Sequence, residues 1–201
     1  MTINRLDHHR DQAGAWEVMS TVTGHLAFNI GANIGQAARV LAPNFSTVIA
    51  LEPCKESFDI LLVESAPNVV CLPVAVSAES GTVTLTESAD AIRTGQLTTG
   101  SALAWGAPIG ERTVEAVTVN DLIAHYGRPD FVNVDVEGHE VMVLEGWTGP
   151  HTCDVLIEVH AERNEELIRN LWGGSLRRLS HAPNVPSGTR LNHYWLTSVG
   201  A

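Results

Sequence analysis

The chain has 201 residues, of which 44% are apolar, and its 12 basic and 23 acidic side chains give a formal net charge of −11. This length and apolar content suit a single domain over residues 1–201, and they exclude a disordered chain or a disulfide-dependent mini-protein. The acidic balance disfavours nucleic acid and anionic membranes as partners.

The cysteines and the N-terminus indicate a cytoplasmic protein. Cys54, Cys71 and Cys153 are odd in number and widely spaced, so we expect neither a disulfide framework nor a cysteine zinc site. The start of the chain is polar and lacks the apolar stretch of a signal peptide. No apolar run approaches the ~18 residues that span a bilayer.

Short apolar runs alternate with helical patterns along the first part of the chain. The predicted strands are 25–30, 47–51 and 68–76, and the predicted helices are 9–21, 34–41 and 56–65. This alternation is typical of parallel βαβ units, in which each helix crosses back over the sheet.

The middle of the chain has a different composition. Residues 82–86 and 113–118 alternate polar and apolar side chains, which predicts two half-exposed strands that pair with each other. Residues 87–112 are rich in Gly, Ser and Thr, and we expect a mobile lid there, because loops of this length are usually functional or mobile. A short helix is predicted at 119–126.

The strand and helix alternation resumes after residue 130. The predicted strands are 131–134, 155–159, 176–179 and 194–197, with helices at 140–145 and 161–172. The last two strands are expected to form an antiparallel closing pair. The fold class is therefore a doubly wound, mostly parallel α/β sheet of about seven strands, which binds ligands beyond the carboxyl ends of its strands.

A glycine turn follows the first predicted strand, and an acid ends the second. Gly31 permits a tight turn and close approach of a ligand, and Gly35 opens the next helix, whose N-terminus suits an anionic group. Glu52 follows Gly31 by 21 residues, close to the ~20 expected of an acid that binds ribose hydroxyls. With the third predicted strand ending at Ala75 and Val76, these features predict a nucleoside pocket.

Two polar clusters follow the next parallel strands. Their carboxylates and imidazoles are Asp135, Glu137, His139, Glu140, Glu158 and His160. Adjacent strands lie ~5 Å apart, so the clusters are close in space. Glu158 interrupts an apolar strand, where a carboxylate without partners is costly. Glu137, His139 and Glu140 could equally be residues of a helix N-terminus, and His160 could be an ordinary edge residue.

Five motifs resemble the FkbM family of S-adenosylmethionine-dependent methyltransferases. They are F-N-I-G-A-N-I-G, A-L-E-P, P-V-A-V-S-A-E-S-G, V-T-V-N-D-L and F-V-N-V-D-V-E-G-H-E-V-M-V-L-E-G. The match runs from about residue 26 to about residue 160, and 131–146 is its most specific part. The resemblance implies the class I methyltransferase sheet, seven strands with the last antiparallel, and O-methylation of a hydroxyl, often of a sugar or polyketide.

The resemblance also implies roles for individual residues. The positions it assigns to the cofactor are Asn29, Gly31, Asn33, Glu52, Ala75, Val76 and Asp135. Glu52 would take the ribose hydroxyls, and Asp135 would lie beside the sulfonium and the incoming hydroxyl. Asn29 stands where the family usually has Asp. It removes a negative charge near a cationic cofactor, so we expect weaker cofactor binding.

The activation of the acceptor hydroxyl has two interpretations. His139 could take the proton as a general base, the option we favour, or Asp135 and Glu158 could hold Mg²⁺ or another divalent cation. We accordingly predict His139, Asp135 and Glu158 as catalytic. The expected acceptor is a small molecule with a free hydroxyl, such as a sugar or glycoside. The sequence is also compatible with a homodimer and does not decide the oligomeric state.

Two other functions compete with methyl transfer. A nicotinamide-dependent oxidoreductase could use the same sheet, but the chain has neither G-x-G-x-x-G nor Tyr-x-x-x-Lys. A non-catalytic cofactor-binding module is favoured only by Asn29. The acidic and histidine clusters argue against such a module.

Overall fold

The computed structural model describes residues 13–88, 96–97, 108–160, 162–173, 175–181 and 192–197. Its strands are β1 (Gly24–Ile30), β2 (Phe45–Leu51), β3 (Val69–Leu72), β4 (Ala75–Val76), β5 (Gly81–Ser88), β6 (Gln96–Leu97), β7 (Pro108–Val117), β8 (Phe131–Val134), β9 (Asp154–Val159), β10 (Ser175–His181) and β11 (Asn192–Thr197). Its helices are α1 (Ala13–Thr21), α2 (Gln36–Leu41), α3 (Lys55–Glu64), α4 (Val119–Tyr126), α5 (Glu140–Glu145) and α6 (Glu162–Trp172), with a 3₁₀ turn at Ala42–Asn44.

Seven strands form the main sheet in the order β10-β11-β9-β8-β1-β2-β3. β3, β2, β1, β8 and β9 are parallel, and β11 runs antiparallel to both of its neighbours. The predicted doubly wound sheet with an antiparallel closing strand is confirmed. Strand order reverses at β1, because the chain runs outward to β3 and then returns to β8 on the other side. The carboxyl ends of β1, β2 and β8 therefore border the crevice where such sheets bind ligands.

The predicted strand at 68–76 is wrong as one element. β3 ends the main sheet, whereas β4 pairs with β7 in a second sheet of order β4-β7-β5-β6. Pro73 lies between them and cannot donate a hydrogen bond to a strand ladder, so it ends the first pairing. The chain then crosses to the smaller sheet and forms one wall of the crevice.

The pairing of the two middle strands is confirmed, the structure shows that it is antiparallel, and the strands are longer than predicted. β5 pairs with β7 along its whole length, from Gly81 opposite Ala116 to Ser88 opposite Pro108. Part of the predicted lid at 87–112 is therefore strand, because residues 87–88, 96–97 and 108–112 belong to the small sheet. The rest of that segment lies outside the described residues.

Apolar side chains fill both faces of the main sheet. Alternate residues of β1 point in opposite directions, with Phe28 packing on one face and Ala27 on the other. α4, α5 and α6 cover the Phe28 face, and α1 and α2 cover the Ala27 face through side chains such as Met19. Among the described residues no helix is long and apolar enough to cross a bilayer.

Candidate active site

A cleft with about 540 Å³ of open space lies at the carboxyl ends of β1, β2 and β8. Six of the seven positions predicted to bind the cofactor line it, namely Gly31, Asn33, Glu52, Ala75, Val76 and Asp135. Asn29 is not among the lining residues. The glycine turn, the acid after β2 and the acid after β8 thus border one cavity, although they are far apart in the chain.

The turn after β1 requires glycine at position 31. Gly31 has a φ of 80°, and a Cβ there would lie 1.8 Å from the carbonyl oxygen of Asp135. The Leu51 carbonyl fixes the turn, because it accepts hydrogen bonds from the backbone N–H groups of Gly31 and Ala32. The backbones of β1 and β8 therefore come close together at the cleft only because this residue has no side chain.

Glu52 is held at the cleft by two backbone donors. Its Oε2 accepts a hydrogen bond from the Asn33 N–H and its Oε1 accepts one from the Cys54 N–H, both at 2.8 Å. Burial raises the pKa of Glu52 to about 7, and the two backbone donors only partly offset that rise. Each carboxylate oxygen keeps a second lone pair, so the oriented group can still accept hydrogen bonds from a pair of ligand hydroxyls.

The imidazole of His160 lies among three carboxylates, those of Asp135, Glu137 and Glu140. His160 is buried, and its Nδ1 lies 2.7 Å from Glu140 Oε1. Its Nε2 lies 3.1 Å from Glu137 Oε2 and 3.8 Å from Asp135 Oδ1. Glu140 is fully buried and also accepts hydrogen bonds from the Gly138 N–H and from Asn164 Nδ2. Glu140 does not line the cleft, and its contact with Nδ1 orients the His160 ring.

The charges in this cluster shift two pKa values upward. Burial alone would lower the pKa of His160, but the negative charges of Glu137 and Glu140 outweigh it and hold that pKa well above its usual value. Burial, followed by the charges of Glu158 and Glu137, raises the pKa of Asp135 well above its usual value. Carboxylates outnumber the imidazole, so the cluster would stabilise an added positive charge.

The geometry argues against His139 as the base. His139 is 1% exposed, its Nε2 lies 3.0 Å from Ser77 Oγ, and it is not among the residues that line the cleft. Burial lowers its pKa to about 4, with the charge of Glu140 opposing the shift. His139 precedes α5 and turns toward Ser77, so an acceptor in the cleft would not reach it.

The predicted metal pair of Asp135 and Glu158 is replaced by a different set of ligand atoms. In the described part of the chain, the group whose ligand atoms lie within 4.8 Å of one another is Asp135, Glu137 and His160. Glu158 is buried in β9 and acts on Asp135 through its charge. The sequence did not predict that Glu137 joins this cluster, because the direction of its side chain depends on a left-handed backbone, φ 53°, which precedes Gly138 at φ 108°.

The expectation of weaker cofactor binding at Asn29 does not fit its position. Asn29 is fully buried, opposite Asn133 in the β1–β8 register, and its Oδ1 accepts a hydrogen bond from Asn133 Nδ2 at 2.9 Å. Its own Nδ2 finds no hydrogen-bond partner among the described residues. The amide therefore faces the neighbouring strand within the sheet, and it does not border the cleft where a cofactor charge would lie.

Comparison with known proteins supports the interpretation of this cleft. The family model of the FkbM methyltransferase domain matches residues 29–178. Hexuronic acid methyltransferase AglP from Haloferax volcanii is 32% identical over 142 residues, which cover 67% of this chain and 55% of that protein. The chain therefore spans about half the length of this curated relative.

Solved structures share the fold at low sequence identity. A methyltransferase FkbM from Methylobacillus flagellatus KT matches with a TM-score of 0.53 and 14% identity, over 86% of this chain and 43% of that one. A precorrin-6y C5,15-methyltransferase from Geobacter metallireducens GS-15 matches with a TM-score of 0.55 and 9% identity, over 100% and 94% of the two chains. These likenesses show the class I methyltransferase fold. Together with the family match over most of the chain, they establish that the chain belongs to the FkbM methyltransferase family.

Proposed function

We propose that the chain is an S-adenosylmethionine-dependent O-methyltransferase that acts on a hydroxyl of a small, sugar-like acceptor. The observation that carries the proposal is that the Gly31 turn, Glu52 and Asp135 border one cleft. These three features correspond to the three parts of the cofactor that must be held: the amino-acid portion, the ribose and the sulfonium.

The cofactor would lie across the cleft from the small sheet to β8. Ala75 and Val76 form an apolar wall that suits the adenine, and Glu52 accepts hydrogen bonds from the ribose hydroxyls. The turn at Gly31 leaves room for the methionine portion. The positive sulfonium is then directed toward Asp135, where excess carboxylates favour a cation.

Asp135 is the side chain we assign to the acceptor hydroxyl. It lines the cleft, and its side chain is 37% exposed. In the reaction the S–CH₃ bond breaks as the O–CH₃ bond forms, and the hydroxyl proton passes to the Asp135 carboxylate. Most of the rate enhancement would come from holding oxygen, methyl and sulfur in line.

The charge of the site favours a neutral sugar as the acceptor. The name of the Haloferax volcanii relative supports a sugar substrate, in that case a hexuronic acid. In the absence of a bound cation, a uronate carboxylate would meet Asp135 and Glu137 at the cleft, and like charges at close range repel. We therefore propose that the acceptor is a neutral glycoside and that it is a better substrate than a uronate.

Titration calorimetry with S-adenosylhomocysteine, with NAD as the comparison ligand, tests the cofactor assignment. Glu52→Ala leaves two ribose hydroxyls without an acceptor, so binding should weaken by ~1–3 kcal/mol, roughly 5- to 150-fold. Glu64→Ala, at an exposed acid of α3, is the matched control and should bind as the wild type does. Equal affinity of the Glu52→Ala variant would disprove the role of Glu52, and binding of NAD alone would favour an oxidoreductase.

Transfer of labelled methyl groups tests the reaction. Neutral glycosides and hexuronides would be compared as acceptors under the same conditions. We expect label on a neutral glycoside, and loss of transfer in Asp135→Asn. Preferential labelling of hexuronides would refute the charge argument and leave the proposed methyltransferase activity intact.

A further inference from the structure

The cluster beside the cleft has the ligand set of a metal centre. We propose that Asp135, Glu137 and His160 bind a divalent transition-metal ion of the Mn²⁺ class, which holds the acceptor hydroxyl. The inference rests on the proposed function, because the ion's role is defined by an acceptor in the same cleft. It places the ion on a histidine and two carboxylates and excludes Glu158 as a ligand.

The distances between the ligand atoms suit a single ion. His160 Nε2 lies 3.1 Å from Glu137 Oε2 and 3.8 Å from Asp135 Oδ1. Ligands bound to one cation at roughly 2.0–2.3 Å lie about 3–4.5 Å apart, depending on the angle between them. Both measured separations fall in that range, so binding would require only small adjustments of side chains.

Two buried oxygens in the cluster point to a missing partner. Asp135 Oδ1 and Glu137 Oε2 are shielded from solvent. Asp135 Oδ1 has no hydrogen-bond partner among the described residues, and Glu137 Oε2 lies 3.1 Å from His160 Nε2. The third ligand atom is Nε2 of His160, which faces both oxygens. The His160 side chain is buried, with 3% of it exposed. A divalent ion bound by these three shielded atoms would take the place of a proton on His160 Nε2 and would give both carboxylate oxygens a partner.

Glu140 supplies the outer partner that a histidine ligand requires. His160 Nδ1–H donates to Glu140 Oε1 at 2.7 Å, which leaves Nε2 as the atom that faces the cluster. The same carboxylate is fixed by Asn164 Nδ2 and by the Gly138 N–H. A carboxylate behind the imidazole is the usual arrangement in metal sites, where it orients the ring and increases its basicity.

The donor set selects the kind of ion. Imidazole suits transition metals, whereas carboxylate and water suit Mg²⁺, Ca²⁺ and Mn²⁺. One imidazole with two carboxylates therefore favours Mn²⁺ over Mg²⁺. Asp135 would use Oδ1 for the ion and keep Oδ2 for the proton that leaves the acceptor hydroxyl, while the ion lowers the pKa of that hydroxyl. The methyl group still passes from sulfur to oxygen, with release of S-adenosylhomocysteine.

The test is binding of Mn²⁺ alone to the full chain, measured by the loss of the electron paramagnetic resonance signal of aqueous Mn²⁺. We expect one bound ion per chain, and at least tenfold weaker binding in Glu137→Gln and in Asp135→Asn. Glu115→Gln, at an exposed acid of the small sheet, is the control and should bind as the wild type does. Circular dichroism and urea unfolding of each variant show whether it is folded.

The outcomes separate this inference from the proposed function. Absence of Mn²⁺ binding in the wild type would overturn the site. So would a result in which Glu158→Gln loses Mn²⁺ binding while Glu137→Gln binds Mn²⁺ as the wild type does. Methyl transfer that persists in chelator would also overturn the role of the ion, and it would leave the methyltransferase proposal intact. Stoichiometric Mn²⁺ binding that depends on Glu137, in a chain that transfers no methyl group to any acceptor, would support the metal site and reject the proposed function.

Discussion

Substitution of Glu52 by glutamine should change the free energy of unfolding in a pH-dependent way. Burial raises the pKa of this carboxyl from 4.5 to about 7. The folded state thus prefers the protonated form, and ionisation destabilises it. The penalty is absent well below pH 4.5, grows as pH rises through the window from 4.5 to about 7, and is constant above that.

The magnitude follows from the size of the shift. About 2.5 pKa units at 1.36 kcal/mol each amount to roughly 3 kcal/mol of destabilisation above pH 7. Glutamine avoids this cost but turns its amide nitrogen toward one of the two backbone donors, and a lost buried hydrogen bond costs ~1–3 kcal/mol at every pH. Glu52→Gln should therefore gain about 2 kcal/mol relative to the wild type between pH 5.5 and pH 8.

Urea unfolding of both proteins at pH 5.5 and pH 8, without cofactor, measures this difference. The lower pH stays above the sequence pI of about 5.1, where the protein carries little net charge. Other titrating groups affect the two proteins equally, so their contributions cancel in the comparison. If the difference in the free energy of unfolding between Glu52→Gln and the wild type is the same at both pH values, Glu52 is already ionised in the folded protein at pH 5.5. That result would refute the burial argument.

Three further substitutions test the geometry of the site. Gly31→Ala should unfold the chain or close the cleft, because its Cβ would meet the Asp135 carbonyl. Gly127→Ala, at φ 97° and ψ 177° with open space, should cost about 1–3 kcal/mol by urea unfolding. Asn29→Asp should destabilise the fold by about 3 kcal/mol at pH 8, because it buries a carboxylate without a cation, and calorimetry should show no tighter cofactor binding. His139→Ala should lose stability but keep methyl transfer within tenfold, whereas loss of a base would cost ~10²–10⁴-fold.

Most of the fold could be predicted from apolar periodicity. Helices 119–126 and 140–145 and strand 131–134 have the predicted bounds, because each is a short periodic segment between clear turn residues. The split of 68–76 could not be predicted from periodicity, since both pieces are apolar and extended. Only the position of Pro73 signals the break, and which sheet each piece joins depends on contacts with β2 and β7.

The sequence could not predict which of the neighbouring polar residues after β8 face the cleft. The residues after β8 include three acids and a histidine within residues 135–140, and any of these four side chains could face the cleft. Glu137 turns toward His160 because its φ is 53°, and His139 turns toward Ser77 one residue after Gly138. Side-chain direction at a turn depends on backbone angles that no apolar pattern encodes.

Three energetically unfavourable features lie around the cleft, and together they indicate the kind of ligand that would stabilise the site. Glu52 has a raised pKa, Glu137 adopts a left-handed backbone that non-glycine residues rarely take, and Asp135 lies among other carboxylates. Each feature is unfavourable in the isolated chain, where strain of the Glu137 kind costs about 1–3 kcal/mol. Hydroxyl donors and a cation in the cleft would stabilise the charges of Glu52 and Asp135, and the binding energy would offset the backbone strain at Glu137. A ligand with a ribose and a positive charge satisfies both needs, and a metal ion beside it would neutralise the remaining carboxylates.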